Sequence, residues 1–179
     1  SSASSGVNAN YTTIDNCTFF GGYRGVTLQG STSNFSEGNQ VLNCTFNGQD
    51  DEGIWVFYQD SMDLIGNSFV PSPFTTFYEG MDISDISNAK INANMVNNPV
   101  GRGVEIDNFN DRIVATTSTE VVNNMIISSQ AGFDFFDVEE TNIFHNSLVG
   151  TPGILFNDFD ESEIVNNIFT SPSGKAADF

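Results

Sequence analysis

The sequence predicts an all-β fold, a right-handed single-stranded parallel β-helix (solenoid) of about seven coils. Two short motifs alternate without a miss along the chain. The shortest complete period is about 21–22 residues, a length typical of one coil of a solenoid. No stretch has the helical periodicity of an amphipathic helix. We therefore expect residues 1–179 to form one domain, with the repeats between Ile14 and Phe169.

The first motif has six residues: apolar, two variable, Asn or Cys, one variable, apolar. Its copies read IDNCTF, VLNCTF, LIGNSF, INANMV, VVNNMI, IFHNSL and IVNNIF, and they begin at Ile14, Val41, Leu64, Ile91, Val121, Ile143 and Ile164. Stacked coils bring equivalent residues about 4.8 Å apart, so that they form columns. The apolar members of the motif are expected to point inward.

The fourth position of this motif predicts a structural ladder inside the solenoid. Its members are Cys17, Cys44, Asn67, Asn94, Asn124, Asn146 and Asn167. Stacked Asn side chains can pass amide hydrogen bonds along a column, which satisfies their polar groups when buried. For the two cysteines we favour stacked free thiols. A disulfide is the alternative, because their expected separation lies within bonding range, although parallel strands rarely orient Cβ atoms well for a bridge.

The second motif is Gly, apolar, variable, apolar, and it gives each coil a second short strand. It begins at Gly25, Gly53, Gly80, Gly103, Gly132 and Gly153. We expect the glycine at the sharp corner before the strand, where a residue without Cβ bends most easily. The variable residue between the apolar pair should point outward.

Two outward columns follow from this alternation. One contains Thr27, Trp55, Asp82, Glu105, Asp134 and Leu155, and the next contains Gln29, Phe57, Ser84, Asp107, Phe136 and Asn157. Carboxylates on consecutive rungs repel one another, so they bind a cation, take up protons or remain fully solvated. Asp82, Glu105, Asp107 and Asp134 could supply part of the oxygen shell of Ca²⁺. A solvated acidic face is the alternative, and no cofactor is required.

Outward aromatic residues mark a contact surface on the same side. With the acids they define an expected ligand-binding set of Trp55, Phe57, Asp82, Glu105, Asp107, Asp134 and Phe136. A sugar ring could stack there, or a neighbouring protein could cover it.

Longer loops are predicted at 30–40, 70–79 and 108–119. The second, VPSPFTTFYE, either forms a wall beside Trp55 and Asp82 or packs its aromatic side chains on the sheet. Long loops over a regular scaffold often carry binding function.

Two arginines could lie near the acidic columns. Arg102 lies just before the strand of Glu105, where it forms a structural ion pair or serves as the base of a lyase. Arg112 is the weaker candidate for the lyase base, and a structural ion pair is its alternative role as well. An Arg base needs an unusually low effective pKa.

Composition excludes several classes of function. The chain has 23 acidic and 5 basic residues, with a formal net charge of −18. A polyanion is repelled by nucleic acid and by anionic membranes. No apolar run reaches the ~20 residues of a membrane span. The first ten residues do not resemble a signal peptide, and we expect further coils or domains of the same chain.

The alternation of the two motifs resembles the parallel β-helix repeats of the pectin-lyase-like superfamily. Segments such as VVNNMIIS, IFHNSLV and IVNNIF are similar to repeats of large secreted surface proteins of Bacteroidetes-type bacteria. The resemblance implies an extracellular or cell-surface location and a polysaccharide or another surface or secretion protein as partner. The catalytic set of polygalacturonases is not matched: Asp50 and Asp51 fall in a turn, the single histidine is His145, and no Arg-x-Lys occurs.

We therefore expect a non-catalytic module, such as part of an adhesin, a stalk or a secreted cargo protein. The alternative is a Ca²⁺-assisted polysaccharide lyase, with Asp82, Glu105 and Asp134 around the cation and Arg102 as base.

Overall fold

The computed structural model describes residues 9–98, 100–109 and 118–178. In those ranges the chain forms strands, turns and loops, and no residue is helical. All neighbouring strands pair in parallel in three sheets that wind into a solenoid. The predicted fold class is confirmed. Most of the predicted loop 108–119, together with Arg112, lies outside the described ranges.

The strands of each sheet follow one another in chain order. Sheet A consists of β1 (Thr13–Asp15), β5 (Gln40–Leu42), β8 (Asp63–Ile65), β11 (Lys90–Asn92), β14 (Thr119–Val122), β17 (Thr141–Phe144) and β20 (Glu163–Val165). Sheet B consists of β2 (Thr18–Phe20), β6 (Thr45–Asn47), β9 (Ser68–Val70), β12 (Met95–Asn98), β15 (Met125–Ser128), β18 (Ser147–Val149) and β21 (Ile168–Thr170). Sheet C consists of β3 (Arg24–Gln29), β7 (Glu52–Asp60), β10 (Glu79–Ser87), β13 (Val104–Phe109), β16 (Phe133–Glu139), β19 (Ile154–Asp160) and β22 (Ala177–Asp178), and β4 (Ser36–Glu37) also pairs with β7.

Each coil has three strands, not the two that the motifs predict. The six-residue motif bends at its third residue, so that its first half lies in sheet A and its second half in sheet B. That residue has a positive φ in every copy, for example 53° at Asn16, 55° at Ala93 and 58° at His145. The left-handed conformation turns the chain sharply within one residue. Asn, Ala, His and Gly all occupy the position, which is why the bend has no obvious residue signature.

The seven strands of sheet A give seven rungs and six complete turns between the first and the last. The register aligns Ile14 with Val41, Val41 with Leu64 and Leu64 with Ile91. The inward columns form one continuous core along the solenoid. Within it the rings of Phe19, Phe46 and Phe69 stack with centroids 4.9 and 4.8 Å apart.

A hydrogen-bonded ladder of asparagines runs inside the corner between sheets A and B. The Nδ2 atoms of Asn67, Asn94 and Asn124 donate to the Oδ1 atom of the next Asn at 3.1, 3.0 and 2.9 Å. Each of those Oδ1 atoms also accepts from a backbone N–H one rung away. The ladder continues from Asn146 to Asn167. These bonds satisfy buried amide groups that would otherwise be costly.

Both cysteines are free thiols, Cys44 buried and Cys17 exposed. The backbone N–H of Cys44 donates to Oδ1 of Asn67 at 3.0 Å, so Cys44 occupies the ladder position on the rung next to Asn67. Its Sγ atom lies 3.1 Å from the carbonyl oxygen of Leu42.

The motif glycines serve close packing and not a left-handed turn. A Cβ atom on Gly103 would lie 2.2 Å from Cγ2 of Ile126 and 2.4 Å from the carbonyl oxygen of Gly132. Gly103 has no positive φ. The narrow space between sheet C and the apolar column of sheet B therefore explains why these positions need a residue without Cβ.

Within the described ranges there is no helix long and apolar enough to cross a membrane.

Candidate functional site

The outer side of sheet C carries the two predicted columns. Trp55 pairs with Asp82, Asp82 with Glu105, and Glu105 with Asp134, each on the neighbouring strand. In the second column Phe57, Ser84, Asp107 and Phe136 follow one another in the same way. The alternation within the Gly-led motif thus predicted these neighbours correctly.

Three carboxyl groups form a tight cluster on this side, which we call the carboxylate cluster. One oxygen from each of Glu52, Glu79 and Asp82 lies within 4.8 Å of the others. Glu52 and Glu79 are paired on neighbouring strands and are only 7% and 5% exposed. Sequence reasoning missed both glutamates. The sequence does contain a sign of them: in two successive coils a Glu stands directly before the glycine of the second motif.

Burial raises the pKa of every group in the carboxylate cluster. The pKa of Glu52 rises to about 7, mainly by burial, although the hydrogen bond from Arg24 opposes the rise. Burial and the charges of Glu105 and Asp82 raise the pKa of Glu79 to about 8. Asp82 reaches a pKa of about 6 by burial and the charge of Glu105, against a hydrogen bond from Trp55. At neutral pH the cluster therefore holds protons, which a bound cation would displace.

Arg24 closes one end of the site. Its Nε donates to Glu52, and its Nη2 lies 3.3 Å from Oδ2 of Asp51. Its guanidinium carbon lies 3.7 Å from the centroid of the Trp55 ring, a cation–π contact. The Phe57 ring is 4.6 Å from the same ring. One face of Trp55, a residue expected to stack on a ligand, is therefore in contact with a side chain of the protein.

Arg102 closes the other end, and three carboxylates surround it. Its Nη1 lies 3.3 Å from Oε1 of Glu79 and also contacts Glu105, while its Nε lies 3.2 Å from Oδ2 of Asp134. Burial lowers the Arg102 pKa, but the charges of Glu105, Asp134 and Glu79 outweigh it and the pKa is raised. The geometry is that of an ion-pair network.

Asp134 is the most buried acid of the outward columns. It is 2% exposed, and among the described residues its Oδ1 atom has no hydrogen-bond partner. Burial raises its pKa, against the charge of Arg102.

The four acids predicted as cation ligands therefore separate into three environments. Asp82 joins the carboxylate cluster, whereas Glu105 and Asp134 pair with Arg102. Asp107 lies in the second column between Ser84 and Phe136. Burial and the charges of Asp85, Glu105 and Asp137 raise the Asp107 pKa.

Exposed aromatic side chains border the carboxylate cluster. Tyr23 is 65% exposed and has its ring centroid 5.4 Å from the guanidinium carbon of Arg24. Phe74 and Phe77, in loop 70–79, are 91% and 42% exposed. The hydroxyl of Thr75 between them donates to the carbonyl of Asp50 at 2.7 Å, which fixes the loop beside Asp51.

The packing role predicted for loop 70–79 is found for one of its aromatic residues. Tyr78 is fully buried and belongs to the packing, whereas Phe74 projects into solvent. The loop thus buries one aromatic side chain and exposes another.

The model of the family described as right handed beta helix region matches residues 5–178, almost the whole chain. No curated protein and no solved structure matches the chain.

Proposed function

The chain belongs to the right-handed β-helix family, and we propose that it is a non-catalytic binding module of a secreted or cell-surface protein. The fold by itself does not determine a function, so the proposal depends on the site on sheet C. In an adhesin, a stalk or a secreted cargo protein, the solenoid provides rigidity. The outer side of sheet C binds a glycan.

The observation that carries this proposal is the combination of acids, arginines and exposed aromatic residues at one place. Protonated carboxyl groups of the carboxylate cluster can donate hydrogen bonds, while the ionised groups can accept them. A glycan hydroxyl both donates and accepts. The ring of Tyr23, 65% exposed beside Arg24, offers an apolar face for a sugar ring.

The state of Arg102 supports a binding role over a catalytic one. A lyase base has to accept a proton at the pH of the reaction. The surrounding carboxylates hold Arg102 in its charged form, with a raised pKa. His145, the only histidine, is exposed at the corner between sheets A and B and belongs to neither outward column of sheet C.

A Ca²⁺-assisted polysaccharide lyase is the alternative, and the carboxylate cluster is the observation that favours it. Glu52, Glu79 and Asp82 offer oxygen ligands of the kind that Ca²⁺ prefers. A lyase would release unsaturated products from uronate polymers, measured by their ultraviolet absorbance, and would lose this activity with a chelator. We expect no product from pectate or alginate.

A glycan array tests the binding proposal with the whole chain and two matched variants. We expect Tyr23→Ala to reduce binding at least tenfold, since it removes the exposed ring beside the carboxylate cluster. Phe20→Ala is the control, because Phe20 is 77% exposed and belongs to sheet B and not to sheet C. Wild-type protein that binds no glycan, or equal losses in the two variants, would contradict the proposal.

A further inference from the structure

An exposed aromatic ring and two aspartates lie together at the border of the carboxylate cluster. The backbone N–H of Asp51 donates to the carbonyl of Tyr23 at 3.0 Å, and that of Asp50 donates to the carbonyl of Gly22 at 3.0 Å. Tyr23, 65% exposed, therefore has the two aspartates beside it on the neighbouring rung. Asp50 is exposed and forms no ion pair with a basic residue that the structure describes. A ring face and an uncompensated carboxylate are thus offered to the same ligand.

The two arginines of the site already have carboxylate partners. Arg24 contacts two carboxylates and Arg102 contacts three, and the two arginines share none of these five acids. Asp50 and Asp82 add two further acids. Even when the two buried glutamates of the cluster hold protons, the remaining acids outnumber the arginines. Negative charge is therefore in excess at the site.

This excess discriminates between glycans of different charge. A glycan with carboxylate or sulfate groups meets like charge, and it would have to displace an intramolecular carboxylate to reach Arg24 or Arg102. A neutral glycan gains nothing from the excess. A protonated amine gains twice, from the charge of Asp50 and Asp51 and from the face of the Tyr23 ring, which attracts a cation.

We infer that the glycan bound at this site carries free amino groups, as an oligomer of deacetylated amino sugars does. The inference rests on the glycan binding proposed for the outer side of sheet C, and it names the chemical class of that glycan. One sugar ring lies against Tyr23, and its ammonium group donates to the carboxylate of Asp50 or Asp51. Acetylation of the amine would remove the charge and with it the preference.

Isothermal titration calorimetry with the whole chain tests the inference on two oligosaccharides of equal length and linkage. One consists of glucosamine and the other of N-acetylglucosamine, so that they differ in the charge of the amine. We expect the glucosamine oligomer to bind at least tenfold more tightly, and a galacturonate oligomer of the same length not to bind. The preference should shrink as the ionic strength rises from about 0.01 M to about 0.15 M, because salt screens the attraction.

Two matched variants separate this site from a general attraction between an acidic protein and a polycation. Asp50→Asn removes one exposed charge beside Tyr23 and should weaken the binding of the glucosamine oligomer at least fivefold. Glu163→Gln also removes one charge, at an exposed position of sheet A, and should leave the affinity unchanged. Circular dichroism checks that both variants keep their strands.

Equal losses in Asp50→Asn and Glu163→Gln would overturn the inference, since they would mean a general attraction. A lysine oligomer of equal charge that bound as tightly as the glucosamine oligomer would overturn it in favour of a basic peptide. Equal or tighter binding of the N-acetylglucosamine or galacturonate oligomer would also overturn it, and the proposed glycan binding would still stand. A glycan array without any binding would remove the proposed function together with the inference.

Discussion

At the scale of single residues, the carboxylate cluster holds its acids where water cannot solvate them well. Glu79 is 5% exposed and lies near Glu52, Asp82 and Glu105, with Arg102 as its basic partner. Burial and like charge both favour the protonated form, which explains a pKa of about 8 against the usual 4.5. Such a group links folding to pH.

We predict that the free energy of unfolding falls as the pH rises from 4.5 to about 8. In this range the folded state binds more protons than the unfolded state at Glu79, and also at Glu52 up to about pH 7. The stabilising contribution is therefore complete below the unfolded pKa and is lost as the pH passes the folded pKa. Urea denaturation at a series of pH values measures it.

Glu79→Gln should flatten this pH dependence, because the amide does not titrate. Glu163→Gln, at an exposed position of sheet A, should leave it as in wild type. A stability that increases towards pH 8 in wild-type protein would show that the cluster does not take up protons on folding.

The residues that sequence reasoning found and missed differ in a physical way. Alternation along a strand fixes which side a residue faces, and this was enough to predict that Asp82, Glu105 and Asp134 are neighbours. The burial of Glu52 and Glu79 depends on tertiary packing around the strand ends, and the contacts of Arg102 depend on the path of a long side chain. Neither follows from periodicity.

At the scale of elements, the asparagine ladder links sheets A and B on successive rungs. Asn124 has partners on both sides: its Nδ2 donates to the carbonyl of Ile91 at 2.8 Å and to Asn146, and its Oδ1 accepts from Asn94. Asn167, in the last of the rungs with this motif, is partly buried. The same side chain therefore has different neighbours along the ladder.

We predict that Asn124→Ala lowers the free energy of unfolding by about 3 kcal/mol, because it leaves several buried donors and acceptors without partners. Asn167→Ala should cost about 1 kcal/mol, since water can replace part of what is lost. Chemical denaturation of the two variants beside wild type measures both values. Equal losses would mean that the ladder contributes no more in the interior than at its end.

The motifs predicted the inward columns but divided the coil wrongly, into two strands and not three. Apolar spacing is visible because Ile14, Val41 and Leu64 must all fill the core. The bend within the first motif is set by the backbone of its third residue, with a φ of 55° at Ala93. Ala carries no preference for that conformation, so the bend is imposed by the stacking of neighbouring coils.

At the scale of the whole molecule, folding gathers a charge of −18 into a compact rod. The unfolded chain keeps these charges farther apart. Electrostatic repulsion therefore opposes folding, and the regular hydrogen bonding and the continuous core have to offset it.

We predict that sodium chloride stabilises the fold. Raising the ionic strength from about 0.01 M to about 0.15 M shortens the screening length from about 30 Å to about 8 Å, so that distant acids cease to repel one another. The urea midpoint should rise over this range, and sucrose at the same osmolality should give a smaller rise. A midpoint that falls with salt would mean that the ion pairs of Arg24 and Arg102 outweigh the general repulsion.

The register also determines how the rod can change its length. Asn142 aligns with Glu163 and Ile143 with Ile164, so joining Asn142 directly to Ile164 would remove one complete rung and leave each column continuous. Asn124 would then face Asn167 in place of Asn146. Gain or loss of such a segment would lengthen or shorten the rod by one strand spacing without a new core. The length of this molecule can therefore vary in whole rungs, while the site on sheet C and the surface of sheet B keep their local geometry.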